Sequence, residues 1–270
     1  MNQSNYEIIK KIGSGSYGSV YLAYDIQNNR NVAIKTISLA NTNINEINNL
    51  YKLSIPNCNP YVVCFYFSFI TDNKINIVTD YIDGPDVMVY TEPLRSFNNT
   101  ALLIKTGKIL LYTMLSALQY IHSKQIIHND IKPSNIVVGS NRVPVLVDFG
   151  ISCDINKCNE NGGTSLYLSP EVLHGIRTYK SDLWSLAATI YGVVTGNNIW
   201  SLNIYQYDAR SLMNEVINLM SNKILPNRLS TGDEKLDYIV NNFLQYDPSL
   251  RLSINQALAL LKDDISHYYS

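Results

Sequence analysis

The chain has 270 residues, with 21 Lys and Arg against 22 Asp and Glu and a net charge of −1. That length buries a large core as one domain or two lobes. The balanced charge leaves no footprint for nucleic acid or an anionic membrane surface. Met1-Asn2-Gln3-Ser4-Asn5 is polar and lacks the apolar region of a signal segment. No apolar run is read as reaching the ~18–20 residues of a membrane span. The four cysteines, Cys58, Cys64, Cys153 and Cys158, form no paired C-x-x-C motif. A zinc site is therefore not expected. Reduced thiols in a cytoplasmic or other reducing compartment are.

In chain order, Tyr6 to Lys11 reads as a strand and leads into Ile12-Gly13-Ser14-Gly15-Ser16-Tyr17-Gly18-Ser19-Val20. Glycines 13, 15 and 18 let the backbone bend tightly and approach phosphate oxygens. The dinucleotide fingerprint has the same spacing, but its third glycine opens a helix. Here Val20-Tyr21-Leu22-Ala23-Tyr24 continues as strand, which favours a glycine-rich hairpin over a nucleotide rather than an ordinary turn. Asn31 to Ile37 is a further strand whose apolar run holds one cation, Lys35. Ile47, Leu50 and Leu53 give Asn45 to Leu53 a short helical stripe. Glu46, in that helix, is the only acidic residue between Lys35 and Asp72. Asn59 to Phe69 and Lys74 to Thr79 read as two more strands, completing a five-stranded sheet plus one helix. Asp80-Tyr81-Ile82-Asp83-Gly84-Pro85 breaks the pattern.

Thr106 to Lys124 reads as a long helix with Leu110, Met114, Leu118 and Ile121 on one face. It leads into Ile127-His128-Asn129-Asp130-Ile131-Lys132-Pro133-Ser134-Asn135. There Asp130 is a potential base, Lys132 a cation for a developing anion, and Asn135 a metal donor through its side-chain oxygen. Ile136-Val137-Val138 follows. Thirteen residues past Asn135 stands Asp148-Phe149-Gly150, a second carboxylate suited to magnesium. Ile151 to Gly163 is polar and Asn-rich, a loop by composition.

These blocks resemble the eukaryotic-type protein kinase family, whose catalytic loop reads H-R-D-x-x-x-x-N and whose metal motif reads D-F-G. One position departs: Asn129 stands where the family has Arg. The resemblance runs from about Tyr6 to about Asp264. It implies one α+β domain over residues 6–264: an N-lobe of five antiparallel strands and one helix, a hinge at 80–85, and a mainly helical C-lobe. By it, the loop from Ile12 to Gly18 covers a nucleotide, and Val20, Ala33 and Val137 sandwich its adenine. Thr79 stands at the back of that pocket, the backbones of Asp80 and Ile82 bond the adenine edge, and Asp86 lies near the ribose. Lys35, as in the family's V-A-I-K, grips the α- and β-phosphates and is braced by Glu46. Asn135 and Asp148 hold Mg2+, with Mn2+ as an alternative ion. Asp130 takes the substrate's hydroxyl proton while Lys132 neutralises the moving phosphate.

Further along, Gly163-Thr164-Ser165-Leu166-Tyr167-Leu168-Ser169-Pro170-Glu171 resembles the family's G-T-x-x-Y-x-A-P-E block, with Ser169 for Ala. Asp182, at the start of a large buried helix, is expected to bond the catalytic-loop backbone, and Arg251 to pair with Glu171. Lys132 and Thr164 resemble the serine/threonine branch, so the implied reaction moves the ATP γ-phosphate to a protein hydroxyl. A monomer is expected, with no nucleic-acid or membrane partner. Ser134 and Leu168 stand where arginine-directed and proline-directed relatives carry their reading residues, so neither preference is expected. Ile151, after the D-F-G block, goes with threonine acceptors in the family. Asn129 is neutral and cannot form a guanidinium–phosphate pair, so activity without loop phosphorylation is expected. The alternatives are a pseudokinase acting as a nucleotide-binding scaffold and a kinase for small molecules.

Overall fold

Period-two alternation builds the first lobe. The computed structural model, which describes residues 5–15, 18–158 and 162–265, has strands β1 (Tyr6–Gly15), β2 (Gly18–Asp25), β3 (Arg30–Ser38), β4 (Phe65–Thr71) and β5 (Lys74–Asp80). They form one sheet in the order β1-β2-β3-β5-β4, antiparallel throughout. In β3, Val32 and Ile34 are buried with Ala23 and Val78 beneath Tyr6, Phe67 and Phe69. Ala33 and Lys35 alternate onto the other face, which lines a cleft. Helix α1 (Ile44–Ser54) packs beside the sheet, capped by Asn43, whose side chain accepts from Asn45 N. Its buried residues, Glu46, Asn49, Leu50 and Leu53, recur at i, i+3, i+4 and i+7. The buried stripe thus takes in Glu46 and Asn49, while Ile47 is only half-buried.

The strand expected from Asn59 starts at Phe65 instead. Asn59 opens a turn, accepting from Tyr61 N at 2.9 Å through its side chain and from Val62 N at 3.2 Å through its carbonyl. Tyr61 to Val63 then bond to Leu146 of the second lobe, not to the sheet. The connection between lobes is equally tied down. Val138 N donates to Pro85 O, and Asp86 bridges Val137. A Cβ on Gly84 would stand 1.9 Å from Val138 O. Gly84→Ala is therefore expected to cost about 1–3 kcal/mol through overpacking. The readout is a lower urea midpoint at unchanged slope, and an unchanged midpoint would mean that the hinge backbone yields.

In the second lobe, helices α2 (Val87–Ser96), α3 (Thr100–Ser123), α4 (Tyr179–Thr195), α5 (Ala209–Ser221), α6 (Glu234–Phe243) and α7 (Ile254–Ile265) surround two small ribbons. The first pairs β6 (Ile126–Ile127) with β9 (Cys153–Asp154); the second pairs β7 (Ile136–Val138) with β8 (Pro144–Leu146). This pairing brings the loop after β6 and the loop after β8 side by side, 128–135 next to 147–152. α4 is closed by a capping box between Thr178 and Ser181, and every residue from Ser181 to Val194 is buried.

α3 begins six residues earlier than its stripe suggests, because Asn99 accepts from Leu102 N and caps it. By length and composition this helix is apolar enough to cross a membrane, which corrects the expectation that no such stretch exists. Its apolar face is spent inside the protein, where Leu110, Leu111, Leu115 and Leu118 are fully buried. The cysteines bring a second correction. Cys58 is bonded to Cys64 and Cys153 to Cys158, so none of the four is a free thiol. Separations of six and five residues carry no sequence signal of pairing, but turns bring the Cα atoms to 5.4 and 5.1 Å, inside disulfide range.

Candidate active site

Between the lobes lies a cleft of about 600 Å³. Ile12, Gly13, Val20 and Ala33 line it from the sheet, Asp80 and Ile82 from the hinge, and Val137 from β7 of the second lobe. Thr79 is on its wall as well. Ser14 and Gly18 are not on the wall, and Ser16 and Tyr17 lie outside the described residues. Gly15 ends β1 opposite Gly18. Gly18 has φ +143°, and a Cβ there would lie 2.3 Å from Thr36 O, so that turn requires glycine. Asp86 does not line the cleft. Its carboxylate caps α2, accepting from Met88 N at 2.9 Å and Val89 N at 3.1 Å, and its backbone bridges Val137 on the cleft wall. Leu50, Val63, Ile77 and Phe149 complete the apolar back wall. Leu50 carried a signal in the α1 stripe and Phe149 in the Asp148-Phe149-Gly150 block, whereas Val63 and Ile77 carried none beyond their strands.

At the inner end of the cleft, Lys35 Nζ bonds Glu46 Oε1 at 2.7 Å and Asp148 Oδ1 at 2.8 Å. Burial opposes the Lys35 charge, but the two carboxylates outweigh it and hold the pKa above its ordinary value. Burial also pushes the Glu46 carboxyl up, and Lys35 offsets only part of that. For Asp148 burial works upward too, yet Lys35 and the bond from Gly150 N win and keep it below its ordinary range. Asp148 adopts φ +60°, a conformation that turns the chain sharply after β8. A Cβ on Gly150 would stand 3.1 Å from Lys35 Nζ and 3.2 Å from Asp148 Oδ1, so a side chain there would press on that ion pair.

The loop between β6 and β7 gathers the remaining candidates. Asp130 Oδ1 accepts from Thr164 Oγ1 at 2.9 Å, and Oδ2 meets Lys132 Nζ at 2.8 Å. Lys132 Nζ also donates to Thr164 Oγ1 at 2.9 Å. Asn135 Nδ2 donates to Asp130 O at 2.8 Å and Oδ2 at 3.1 Å, which keeps its side-chain oxygen as a hard donor. Asn135 and Asp148 both line the cleft, whereas Asp130 and Lys132 stand outside its wall. Among the described residues no three His, Cys, Asp or Glu side chains cluster as a metal cage. One carboxylate and one amide oxygen on the wall of the cleft suit Mg2+, which keeps waters and takes phosphate oxygens.

Asp182, buried on α4, holds this loop from below. It accepts from His128 N at 3.0 Å and Asn129 N at 2.9 Å, and meets His122 Nε2 at 2.9 Å. Burial disfavours its charge, but the His122 bond and the neighbouring histidines keep its pKa low. Asn129 sits at φ +67°, the left-handed region that asparagine tolerates well, and its Nδ2 donates to Ile151 O at 3.0 Å. His128 is fully buried, its ring edge-on to Phe149 at 4.7 Å. Its Nε2 faces Val147 O at 3.2 Å, so that nitrogen carries the proton, and Nδ1 accepts from Asp130 N at 3.3 Å.

A second proton on Nδ1 would abolish the Asp130 N bond. Burial holds the His128 pKa below its ordinary value, although Asp182, Asp130 and Asp148 pull it upward. The unfolded chain therefore binds the extra proton first, and stability falls as pH drops below about 6.5. For one proton the slope is at most about 1.4 kcal/mol per pH unit. Urea midpoints between pH 7 and 5.5 are expected to fall for the wild type and to fall less for His128→Gln. Parallel slopes would assign the loss to another group.

Two lobes with a nucleotide-sized cleft, a lysine–glutamate pair across it and a base-bearing loop at its mouth define the class. Residues 6–260 match the protein kinase domain family, and the chain belongs to that family. Its curated relatives include serine/threonine-protein kinase Nek5 of Mus musculus, 34% identical over 215 residues, which cover 75% of this chain and 33% of that protein. Another is serine/threonine-protein kinase pakH of Dictyostelium discoideum, 34% identical over 205 residues, covering 72% of this chain and 38% of the relative. The chain thus spans about a third of the length of these relatives. A solved structure, the Cydia pomonella granulovirus kinase PK-1, shares the fold with a TM-score of 0.77 at 21% identity, covering 98% of this chain and 94% of that one.

Proposed function

We propose that the chain transfers the γ-phosphate of ATP to a serine or threonine hydroxyl of a protein. The observation that carries the reading is the Asp130 carboxylate, fixed from three sides by Thr164, Lys132 and Asn135. Phosphoryl transfer asks for positioning and charge neutralisation more than covalent chemistry. Asp130 orients the acceptor hydroxyl and receives its proton. Lys132, 2.8 Å from Asp130, stands ready for charge on the moving phosphoryl group. Lys35, held by Glu46, positions the α- and β-phosphates, and the glycine hairpin closes over them. Bound Mg2+ at Asn135 and Asp148 would neutralise phosphate charge. The scaffold alternative requires none of this to be poised, whereas here Lys35–Glu46 is closed at 2.7 Å.

The test is incubation with γ-labelled ATP, Mg2+ and a generic protein substrate, followed by phosphoamino-acid analysis. Label is expected on threonine at least as much as on serine, with none on tyrosine. Nucleotide binding without transfer would make the chain a scaffold, and label on tyrosine alone would move it to another branch.

A further inference from the structure

We infer that Cys153 and Cys158 form a reversible redox clasp that orders the segment following Asp148-Phe149-Gly150. The two are bonded across five residues of that segment, 5.1 Å between Cα atoms. Directly beneath them lies Asn129, whose Nδ2 donates to Cys153 Sγ at 2.9 Å and approaches Cys158 Sγ at 3.4 Å. One side chain thus joins the catalytic loop to both sulfurs. Both sulfurs lie against the Nδ2 end of that amide, so the N–H that accompanies the disulfide is equally placed to donate to a thiolate at Cys153.

The residues flanking the clasp lead to the cleft. Cys153 pairs with Ile127 in the β6–β9 ribbon, immediately before the catalytic loop. Ser152 Oγ accepts from Asn49 Nδ2 at 3.0 Å, Asp154 meets Lys52 at 3.4 Å, and Gly150 O accepts from Asn43 Nδ2 at 3.2 Å. All three partners belong to α1 or its cap, the helix that carries Glu46. With the clasp closed, residues 150–154 are pinned between α1 and the catalytic loop, and the Lys35–Glu46 pair is held in place. Opening it frees the 154–158 side of that anchor.

The two sulfurs differ in access. Cys153 is fully buried, whereas Cys158 is partly exposed. A small thiolate attacks Cys158 Sγ, forming a mixed disulfide and breaking the bond to Cys153, which leaves as a thiolate toward the Asn129 amide N–H. A second small thiol attacks the mixed disulfide at its own sulfur, releasing Cys158 as a thiol and the reagent as its disulfide. The net reaction consumes two thiols and yields two protein thiols and one small disulfide; oxidation is the reverse, with the small disulfide as oxidant. Disulfides that persist in reducing compartments are commonly of this exchanging kind.

The activity arm of the test rests on the proposed kinase reading, and two other readouts do not. The protein carries Cys58→Ser and Cys64→Ser so that one pair remains, and is equilibrated in glutathione buffers from reduced to oxidised. Alkylation and intact mass then count thiols, limited proteolysis within 151–171 reports order, and kcat/KM on a protein substrate reports function. Two thiols are expected to appear together on reduction, cleavage to speed up three-fold or more, and kcat/KM to fall three-fold or more. Adding Cys153→Ser and Cys158→Ser is expected to fix cleavage and activity at the reduced level in every buffer. Two alkylatable thiols even in the most oxidising buffer would overturn the clasp, as would a disulfide that changes neither proteolysis nor activity. If no phosphate is transferred in either state, the kinase reading fails and the proteolysis ratio alone decides the clasp.

Discussion

Replacing Asp130 with Asn is expected to lower turnover by about 10²–10⁴-fold, the range that a positioned general base contributes. At about 1.4 kcal/mol per factor of ten, that removes roughly 3–5 kcal/mol of transition-state stabilisation. Nucleotide affinity is expected to stay within about two-fold, because Asp130 does not line the cleft. Asparagine keeps an oxygen for Thr164 but loses the charge that faces Lys132 at 2.8 Å. The variant thus tests the charge and basicity of this group with little change of shape. Single-turnover transfer and nucleotide titration on the same preparation separate the two effects. Turnover within five-fold of wild type would place the base elsewhere, and a parallel loss of nucleotide binding would mean that Asp130 supports the fold of the loop.

The parts of the site that were legible in the sequence are those whose chemistry is concentrated in a few adjacent positions. Asp130, Lys132 and Asn135 occupy six residues, and Asp148 to Gly150 three. Lys35 stood out because a cation interrupts an apolar strand, and Glu46 because no other acid was near. What was not legible depends on contacts distant in sequence. The β6–β9 and β7–β8 ribbons have strands of two or three residues, too short to carry a period. α2 holds Pro93 and no long apolar stripe, so neither the helix nor its cap at Asp86 was legible. Tyr61 to Val63 are strand-like by composition, but Leu146 claims their hydrogen bonds. Disulfide pairing is invisible without the turns that bring the cysteines together. Ser169 shows the reverse case: its departure from the family's Ala was visible, but only the fold reveals that its buried hydroxyl has no partner among the described residues, a state that generally costs about 1–3 kcal/mol.

Arg251→Leu is expected to destabilise the chain by about 3–5 kcal/mol at pH 7, the cost of leaving a buried charge unpaired. Arg251 is buried and grips Glu171 through two bonds, Nη1 to Oε1 at 2.7 Å and Nη2 to Oε2 at 2.8 Å. It also donates to the carbonyls of Gln245 and Lys180 at 2.8 Å each, and lies 5.2 Å over the Trp184 ring. Glu171 has a further donor, Ser181 Oγ at 2.9 Å, so the pair ties the block before α4 to the start of α4 and to the 247–251 turn. Folded domains have only about 5–15 kcal/mol in total, so the loss is a large fraction. The pH dependence identifies its cause. In the wild type, burial works to raise the Glu171 pKa, but Arg251 wins and depresses it. That contribution is present above the unfolded value near 4.3 and is lost as pH falls through the folded one. Without Arg251, burial is opposed only by the Ser181 and backbone bonds, and the Glu171 pKa rises. The variant's penalty then shrinks on acidification, because protonating Glu171 removes the unpaired charge. Urea unfolding at pH 7 and pH 5 is expected to give a smaller wild-type-minus-variant difference at pH 5. The double variant Arg251→Leu with Glu171→Leu is expected to lose less than Arg251→Leu alone. A penalty independent of pH and undiminished in the double variant would assign the cost to the bonds with Gln245 and Lys180 and the packing on Trp184.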